Sequence, residues 1–351
     1  MTSARVSFAA SCGYLSRRLA TTALTLLGLL TLVFVMIKVI PGDEAQVAAG
    51  PEASPAQVRA VRQRMGLDAP VLVQYFRFLG RVLQGDLGNS VSTLRPVLDD
   101  LAKVFPSTLE LVAVTMALSL LLALPAAAMA ALWRDHAFDR AARVVAVAAG
   151  GMPAFWLALL GQYLLASRWE IFPISGQQGF DFVVPPHTRM PLVDTLLAGN
   201  LAAFRDAFWH LVLPACGLAA YFAAQFFRTL RASLIAIMES DFILPVRAKG
   251  ASLVRIMVRH ALPNAMGPTI TLAGVLLGMM IGSAVLVESI FDRQGVGAYL
   301  SNAVSQKDTY AVLGTVLFVG AIVCLTNMLV DILLLAVDPR VRAAQFRGGS
   351  Q

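Results

Sequence analysis

Six long apolar stretches constrain the fold of this chain more than any other feature. They cover residues 19–40, 106–132, 144–167, 209–227, 269–291 and 309–337, and each carries at most one acidic or basic residue. A helix that crosses the hydrocarbon core of a bilayer needs about 20 mostly apolar residues. Because unpaired backbone groups are costly in lipid, these stretches predict an all-α integral membrane protein with six transmembrane helices.

The composition excludes the main alternative classes of protein. Hydrophobic residues make up 58% of the chain and charged residues only 14%, far from the balance of soluble or disordered proteins. Three widely separated cysteines, Cys12, Cys216 and Cys324, do not form a disulfide framework. The first apolar stretch is too long for a secretory signal.

The distribution of Lys and Arg predicts the orientation in the membrane. Segments 1–18, 133–143, 228–268 and 338–351 together hold 15 Lys or Arg residues against 5 acidic ones. Segments 41–105, 168–208 and 292–308 hold 12 against 13. The positive-inside rule therefore predicts that both termini are cytoplasmic and that the second set faces outward. The formal charge of +7 is thus explained by basic residues on one side of the membrane, and we predict no nucleic-acid partner.

The outer segment 41–105 alternates apolar and polar stretches with turn residues such as Pro55, Gly66 and Gly85. This pattern predicts short helices that lie on the membrane surface.

Four ionisable residues fall within or at the ends of the predicted spans: Lys38, Glu110, Glu288 and Asp331. Lys38 can snorkel to the interface, and the spacing of Ser107 and Glu110 is that of a capping box at a helix start. Glu288 and Asp331 remain open between structural and functional roles. Since the four are scattered, they favour an ion-coupled carrier less than a cluster would.

Two glycine patterns concern helix packing. Gly274, Gly278 and Gly282 recur every four residues and predict close approach of another helix, with pore lining as the alternative. The run Gly150-Gly151-Met152-Pro153 predicts a kink or break inside the third span, with a position near the moving or substrate-facing parts of a transporter as the alternative to a simple kink.

Several chemical signatures do not occur in the sequence. It contains no G-x-x-x-x-G-K-[ST] phosphate loop, no H-E-x-x-H, no C-x-x-C pair and no G-x-S-x-G. We therefore predict no catalytic residue, no metal site and no cofactor on this chain. Energy for uphill transport would have to come from a partner or an ion gradient.

The basic segment between the fourth and fifth spans has an unusual design for a loop. Arg255 and Arg259 lie one turn apart, and Gly250 separates two helical stretches where it can supply a positive φ. Pro263 fits the start of a helix or a break before the fifth span. The pattern predicts a helix, a turn and a second helix that form a stiff knob, with a basic helix lying on anionic lipid as the alternative.

This segment resembles the cytoplasmic "EAA" loop of permease subunits of ABC importers. Leu262-Pro263 stand at the expected offset from Gly250, and the chain reproduces the R-A-K-G and R-H-A-x-x-N-A pieces of the dipeptide/oligopeptide/nickel branch at 247–250 and 259–265. Leu244-Pro245-Val246 replace the E-A-A residues. Other similar pieces include Pro41-Gly42-Asp43, the run from Gly85 to Ser90, Pro153-Ala154-Phe155-Trp156, Val287-Glu288-Ser289-Ile290-Phe291 and Asp338-Pro339-Arg340.

The resemblance implies the first-type permease subunit of a peptide-class ABC importer, with a type I permease fold over about 100–345 in a bacterial inner membrane. It implies a second, similar permease, two ATPase subunits that carry ATP and Mg²⁺, a soluble or lipid-anchored receptor outside, and surrounding membrane lipid. The residues expected to couple to the ATPase are Arg247, Ala248, Lys249, Gly250, Arg255, Arg259, Leu262 and Pro263.

The implied mechanism is alternating access driven by ATP on the partner chains. The cargo would be a peptide or a related small solute such as a nickel chelate or an opine, and the sequence assigns no substrate-contacting residue. An ion-coupled secondary transporter and a membrane scaffold without transport activity are the alternatives.

Overall fold

The computed structural model describes residues 2–39, 43–50, 52–179, 182 and 184–337. Within these residues the regular structure is helical, with fourteen α-helices, two π-helical segments and no strand. The predicted all-α fold is confirmed.

Five helices in the described part are long and apolar enough to cross a bilayer. They are α1 (Thr2–Val39), α5 (Val97–Leu132), α9 (Leu201–Met238), α12 (Leu262–Ile290) and α14 (Thr309–Val337). The remaining apolar stretch forms α6 (Ala137–Gly151) and α7 (Ala154–Gly161), which continues as a π-helix over Gln162–Arg168. Counting this pair as one broken span raises the number of crossings to six.

The break between α6 and α7 lies in the Gly-Gly-Met-Pro run. The axes on either side of it differ in direction by 103°. Met152 is extended, with φ −103° and ψ 144°, because the ring of Pro153 disfavours the helical region for the residue before it. The chain therefore turns sharply here instead of bending gently.

Shorter helices connect or flank the long ones. They are α2 (Glu44–Ala49), α3 (Pro55–Met65), α4 (Val71–Leu83), α8 (Pro191–Leu197), α10 (Leu244–Ala248), α11 (Leu253–Ile256) and α13 (Val296–Ser305). Three of them, α2 to α4, lie in the segment 41–105, which the charge distribution predicts to face outward. A capping box between Ser54 and Gln57 begins α3, and Gly66 ends it in the left-handed conformation.

Four of the five long helices begin before the apolar stretches that predicted them, whereas α14 coincides with its stretch, 309–337. The stretch 209–227 is the centre of α9, and the stretch 106–132 begins nine residues after the start of α5. At 1.5 Å per residue, a 38-residue helix is about 57 Å long, nearly twice the hydrocarbon thickness of about 30 Å. Hydropathy therefore locates the part of such a helix that can lie in the hydrocarbon core, whereas caps and turns decide where the helix ends.

The described residues fall into two compact units, one from Met1–Pro106 with Gly295–Met328 and the other from Ser107–Gln294 with Leu329–Gln351. Within the second unit, α9 is the central helix and packs against α6, α7, α8 and α12. Its residues Phe222, Phe226, Leu230 and Leu234 recur every four positions and are fully buried. This i,i+4 series makes one continuous apolar face toward the neighbouring helices.

Within the first unit, Leu30, Phe34, Phe78 and Leu317 form a small core that joins α1, α4 and α14. A buried carboxylate, Asp308, anchors the loop that precedes α5. It accepts hydrogen bonds from the Ser90 hydroxyl at 2.6 Å, the Ser92 backbone N–H at 3.0 Å and the N–H of Ala311 in the first turn of α14 at 3.1 Å. The Gly85 to Ser90 piece is thus tied to the start of α14.

The three glycines of α12 differ in their surroundings. A Cβ on Gly274 would lie 1.9 Å from Cγ1 of Val330, so α14 approaches most closely there. Gly278 is buried, while a Cβ on Gly282 would meet no atom within 4 Å. Among the described residues, a neighbouring helix therefore approaches closely at Gly274 and not at Gly282. The physical reason is that eight residues turn a helix by about 800°, which places these two glycines roughly 80° apart around the axis.

Candidate functional site

The predicted knob is built from the end of α9, the short helices α10 and α11, and the start of α12. Ile243, at the N-cap of α10, is buried, so it attaches this helix to the rest of the second unit. The Arg247 side chain donates a hydrogen bond to the carbonyl of Met238, the last residue of α9, at 3.3 Å. The knob is therefore folded back onto the end of the central helix.

Gly250 makes the turn between α10 and α11. Its φ is +77°, which confirms that it supplies the left-handed conformation that its position between two helical stretches predicted. Ser252 then caps α11, since its side chain accepts a hydrogen bond from the N–H of Arg255. A residue with a Cβ would be strained at this turn, and proline, whose φ is near −65°, does not fit it.

Two prolines shape the helices on either side of this turn. Pro245 lies in the first turn of α10, where a missing N–H costs no intrahelical hydrogen bond. Pro263 lies in the first turn of α12, immediately after a π-helical segment over Met257–Ala261. Pro263 has no N–H to donate, but the first turn of a helix needs none from it, and the Asn264 side-chain amide donates a hydrogen bond to the carbonyl of His260 at 2.7 Å. Helical structure therefore continues without a gap from Leu253 to Ile290.

The outer surface of the knob is apolar and basic. Exposed apolar side chains cover it, with Val254 64%, Leu244 60% and Val258 60% accessible. Phe242 and Leu253 are exposed as well, whereas Ile256 and Met257 are buried and hold α11 in place. The basic residues Arg247, Lys249, Arg255 and Arg259 are exposed around the same surface. Contiguous exposed apolar patches of this kind typically mark interaction sites.

A network of ion pairs supports the base of the knob. Glu239, the residue that follows α9, pairs with Arg134 of the loop 133–143. Asp139 is fully buried and accepts two hydrogen bonds from Arg231, at 2.6 and 2.7 Å. Arg143 lies 3.6 Å from the same carboxylate. Bidentate Arg–carboxylate pairs are geometrically specific, so the start of α6, which carries Asp139, is attached firmly to the C-terminal part of α9.

A second polar site lies at the other end of α12, where three charged side chains are buried together. Arg293 is 1% exposed, Glu110 5% and Glu288 0%. Nη2 of Arg293 is 3.6 Å from Oε2 of Glu110, while Oε1 of Glu110 accepts a hydrogen bond from the N–H of Leu192 at 2.8 Å. Among the described residues, no side-chain nitrogen of Arg293 has a hydrogen-bond partner. Burial lowers the pKa of the Arg293 guanidinium, and the charges of Glu110 and Glu288 oppose that shift.

This cluster shows that one sequence prediction was wrong, and the sequence analysis did not predict that its members lie together. Glu110 lies in the fourth turn of α5 instead of at a helix start, so the predicted capping box is wrong. Glu288 was left open between two roles, and Arg293 was not singled out because its position after the fifth span is typical of a solvated loop. The proximity of Glu110 and Arg293 arises from packing, and no local sequence signal contains it.

The other ionisable residues of the spans take different positions. Nζ of Lys38 lies 5.6 Å from the ring centroid of Phe34 at the end of α1, in agreement with a snorkelling side chain. The side chain of Asp331 lies outside the described residues. Within the described part of the chain, no group of three His, Cys, Asp or Glu side chains is placed to hold a metal ion.

Comparison with known proteins identifies the family. Residues 123–343 match the family described as "Binding-protein-dependent transport system inner membrane component", and residues 12–112 match the N-terminal domain of the same kind of protein. The two matches together cover nearly the whole chain.

Relatives of similar length agree. The chain is 37% identical to a probable D,D-dipeptide transport system permease protein of Escherichia coli over 93% of its own length and 96% of the relative. It is 36% identical to a di/tripeptide transport system permease protein of Pseudomonas aeruginosa, and 32% identical to a glutathione transport system permease protein of Escherichia coli, in each case over 94% of this chain and 98% of the relative. This chain therefore belongs to the family of inner membrane permease components of binding-protein-dependent transport systems.

Proposed function

We propose that the chain is one of two permease subunits of an importer driven by ATP hydrolysis on separate partner chains. The observation that carries this proposal is the knob over 242–263, whose apolar and basic surface is exposed at the end of a helical run continuous with a membrane span. Such a surface fits a groove on a partner protein, and membership of the family indicates that the partner is an ATPase.

The geometry supports transmission of movement through the membrane. Helical structure from Leu253 to Ile290 has 38 residues, so a displacement of the knob acts on a rod about 57 Å long. The ion pairs of Arg134 with Glu239 and of Asp139 in α6 with Arg231 in α9 would make α6 and α9 move with the knob. A stiff connection of this kind couples ATP-dependent closure of the partner ATPases to alternating access of the spans.

The direction of transport and the partners follow from the same assignment. With the knob and both termini in the cytoplasm, as the distribution of Lys and Arg predicts, the opposite face would accept cargo from a receptor protein. A second, similar permease would complete the pathway, and ATP and Mg²⁺ would bind only to the two ATPases. Because named relatives belong to dipeptide and glutathione transport systems, we propose a small peptide or a related solute as cargo.

Cross-linking tests the proposed ATPase contact directly. The three native cysteines are replaced by serine, a single cysteine is introduced at Val254, and a thiol-attached benzophenone captures its neighbours in cells that express the whole transport system. We expect capture of a protein with a G-x-x-x-x-G-K-[ST] phosphate loop. A cysteine at Leu121, which is 69% exposed on a membrane span, is the control and should capture no such protein. If the benzophenone at Val254 captures only lipid, or if the same cysteine before labelling reacts with impermeant thiol reagents added outside, the assignment is wrong.

Gly250→Pro tests the coupling role of the turn. Proline cannot adopt the φ of +77°, so the variant should insert and assemble but show much reduced uptake at near-normal ATP hydrolysis. Ser252→Ala, which removes only the cap of α11, is the control and should cost about 1 kcal/mol of local stability without uncoupling. Normal uptake by assembled Gly250→Pro protein would refute the coupling role.

A further inference from the structure

The outer segment forms a pocket to which the proposed function assigns no role. The pocket has a volume of about 500 Å³ and lies entirely within the first unit, between the end of α1, the helices α3 and α4, and the start of α14. Four basic side chains line it: Lys38, Arg64, Arg77 and Arg81. Among the described residues that line the pocket, none is acidic. A concave surface lined only by positive charges concentrates anions.

The arginines are held toward this pocket without neutralising partners. In the described part of the chain, Arg64, Arg77 and Arg81 form no salt bridge, whereas Arg62 on the same helix as Arg64 is paired with Asp43 at 2.5 Å. The Arg77 guanidinium covers the turn at Gly66, where an added Cβ would lie 2.6 Å from its Nη1. Arg81 lies 6.0 Å from the ring centroid of Tyr310. The three charges therefore face one volume in which the described lining residues supply no acidic side chain.

The position of the pocket selects the kind of anion. Lys38 is the penultimate residue of α1 and Thr309 the first residue of α14, so the pocket lies at the level where two membrane spans end. The aromatic rings of Phe34 and Phe78, 5.8 Å apart, form its apolar side. An anionic group with an attached apolar chain fits such a boundary better than a fully soluble anion.

The amphipathic helix α4 also favours an anion with an attached apolar chain. Leu72, Phe76 and Leu83 form an apolar stripe on it and are 72%, 65% and 79% exposed, while Arg77 and Arg81 project into the pocket. A helix with a Phe/Leu face and an Arg face lies in the plane of the bilayer interface, with its apolar face among the acyl chains. The arginines of α4 are then at the depth of the lipid phosphates.

We propose that this pocket binds the phosphate group of a membrane phospholipid, with Arg64 and Arg77 as the principal ligands. Guanidinium groups recognise phosphate oxygens through paired, charge-assisted hydrogen bonds. The same chemistry would accept inorganic phosphate, so the test includes both sources. An acidic surface of a partner protein is the competing occupant.

Native mass spectrometry of the full-length chain in detergent provides the test, with palmitoyl-oleoyl phosphatidylglycerol as the probe. We expect Arg64→Gln combined with Arg77→Gln to weaken binding of one lipid molecule by roughly tenfold. The matched control combines Arg59→Gln with Arg95→Gln, which removes the same charge from the same segment outside the pocket, and should change binding by less than about twofold. A control variant that loses as much lipid would overturn the proposal.

Two further arms identify the source of the phosphate. Inorganic phosphate at millimolar concentration should not displace the lipid; displacement that depends on the two arginines would reassign the pocket to a soluble anion. Unchanged lipid binding by the double variant would refute the site and favour a protein partner. If the double variant does not purify as a monodisperse protein, Arg64→Gln alone, an exposed substitution, should still weaken lipid binding by roughly threefold.

Discussion

Removal of the buried Arg293 charge is the sharpest test of how the second unit is held together. Arg293→Met keeps most of the side-chain volume but removes the buried cation that lies 3.6 Å from Glu110 and that also interacts electrostatically with the buried Glu288. At the observed 3.6 Å, two opposite unit charges attract by about 4–5 kcal/mol at an effective dielectric constant of about 20. Mutations that break buried ion pairs cost about 3–5 kcal/mol, because the remaining charge lacks compensation.

The expected loss converts into a measurable shift. At about 2 °C per kcal/mol for a chain of this size, Arg293→Met should lower the unfolding midpoint by about 6–10 °C. The assay is unfolding of the purified chain in detergent micelles, followed by the fluorescence of its four tryptophans. Arg205→Met, at an exposed arginine near the start of α9, is the matched control and should change stability by less than about 0.5 kcal/mol.

A double-mutant cycle separates the ion pair from general damage. Glu110→Gln removes the partner charge while the amide can still accept the hydrogen bond from Leu192. The combination with Arg293→Met should be less destabilised than the sum of the single variants by at least about 1.5 kcal/mol. Additive effects, or an unfolding midpoint of Arg293→Met equal to that of the wild type, would refute the view that this pair joins α5 to the end of α12.

Further predictions concern packing and titration. Gly274→Ala should destabilise the chain by about 1–3 kcal/mol because the added methyl group collides with Val330. Gly282→Ala, in open space, should be neutral or stabilising by up to about 1 kcal/mol. Chemical unfolding in mixed micelles distinguishes the two variants, and equal effects would contradict the close contact between Gly274 and Val330. Combination of Gly274→Ala with Val330→Ala should recover part of the loss. Burial and the charges of Asp100 and Asp308 raise the pKa of Tyr299 to about 12, so its contribution to stability is complete below pH of about 10 and declines toward pH 12. The difference in stability between wild type and Tyr299→Phe should therefore change only above pH of about 10, and a change at neutral pH would contradict this assignment.

The sequence was sufficient to predict features that depend on local composition. The length and hydropathy of the apolar stretches identify the helices that can cross a bilayer, since lipid excludes unpaired backbone groups whatever the tertiary arrangement. The turn at Gly250 and the break at Met152-Pro153 were predictable for a similar reason, because each depends on the conformational limits of one or two residues. The family resemblance rested on such local pieces and is confirmed by the comparisons.

Features that depend on which distant residues meet were decided only by the tertiary structure. Glu110 and Arg293 are 183 positions apart in the chain, and the apparent capping box at Ser107 gave a plausible but wrong local role for the carboxylate. The three glycines of α12 look equivalent in sequence, yet only the position of Val330 makes Gly274 a close contact. The pocket lined by Arg64, Arg77 and Arg81 arises in the same way, because the folding of α3 and α4 against the ends of α1 and α14 brings charges from separate segments around one volume. Periodicity determines the face of a helix on which a residue lies, whereas packing determines what that face meets.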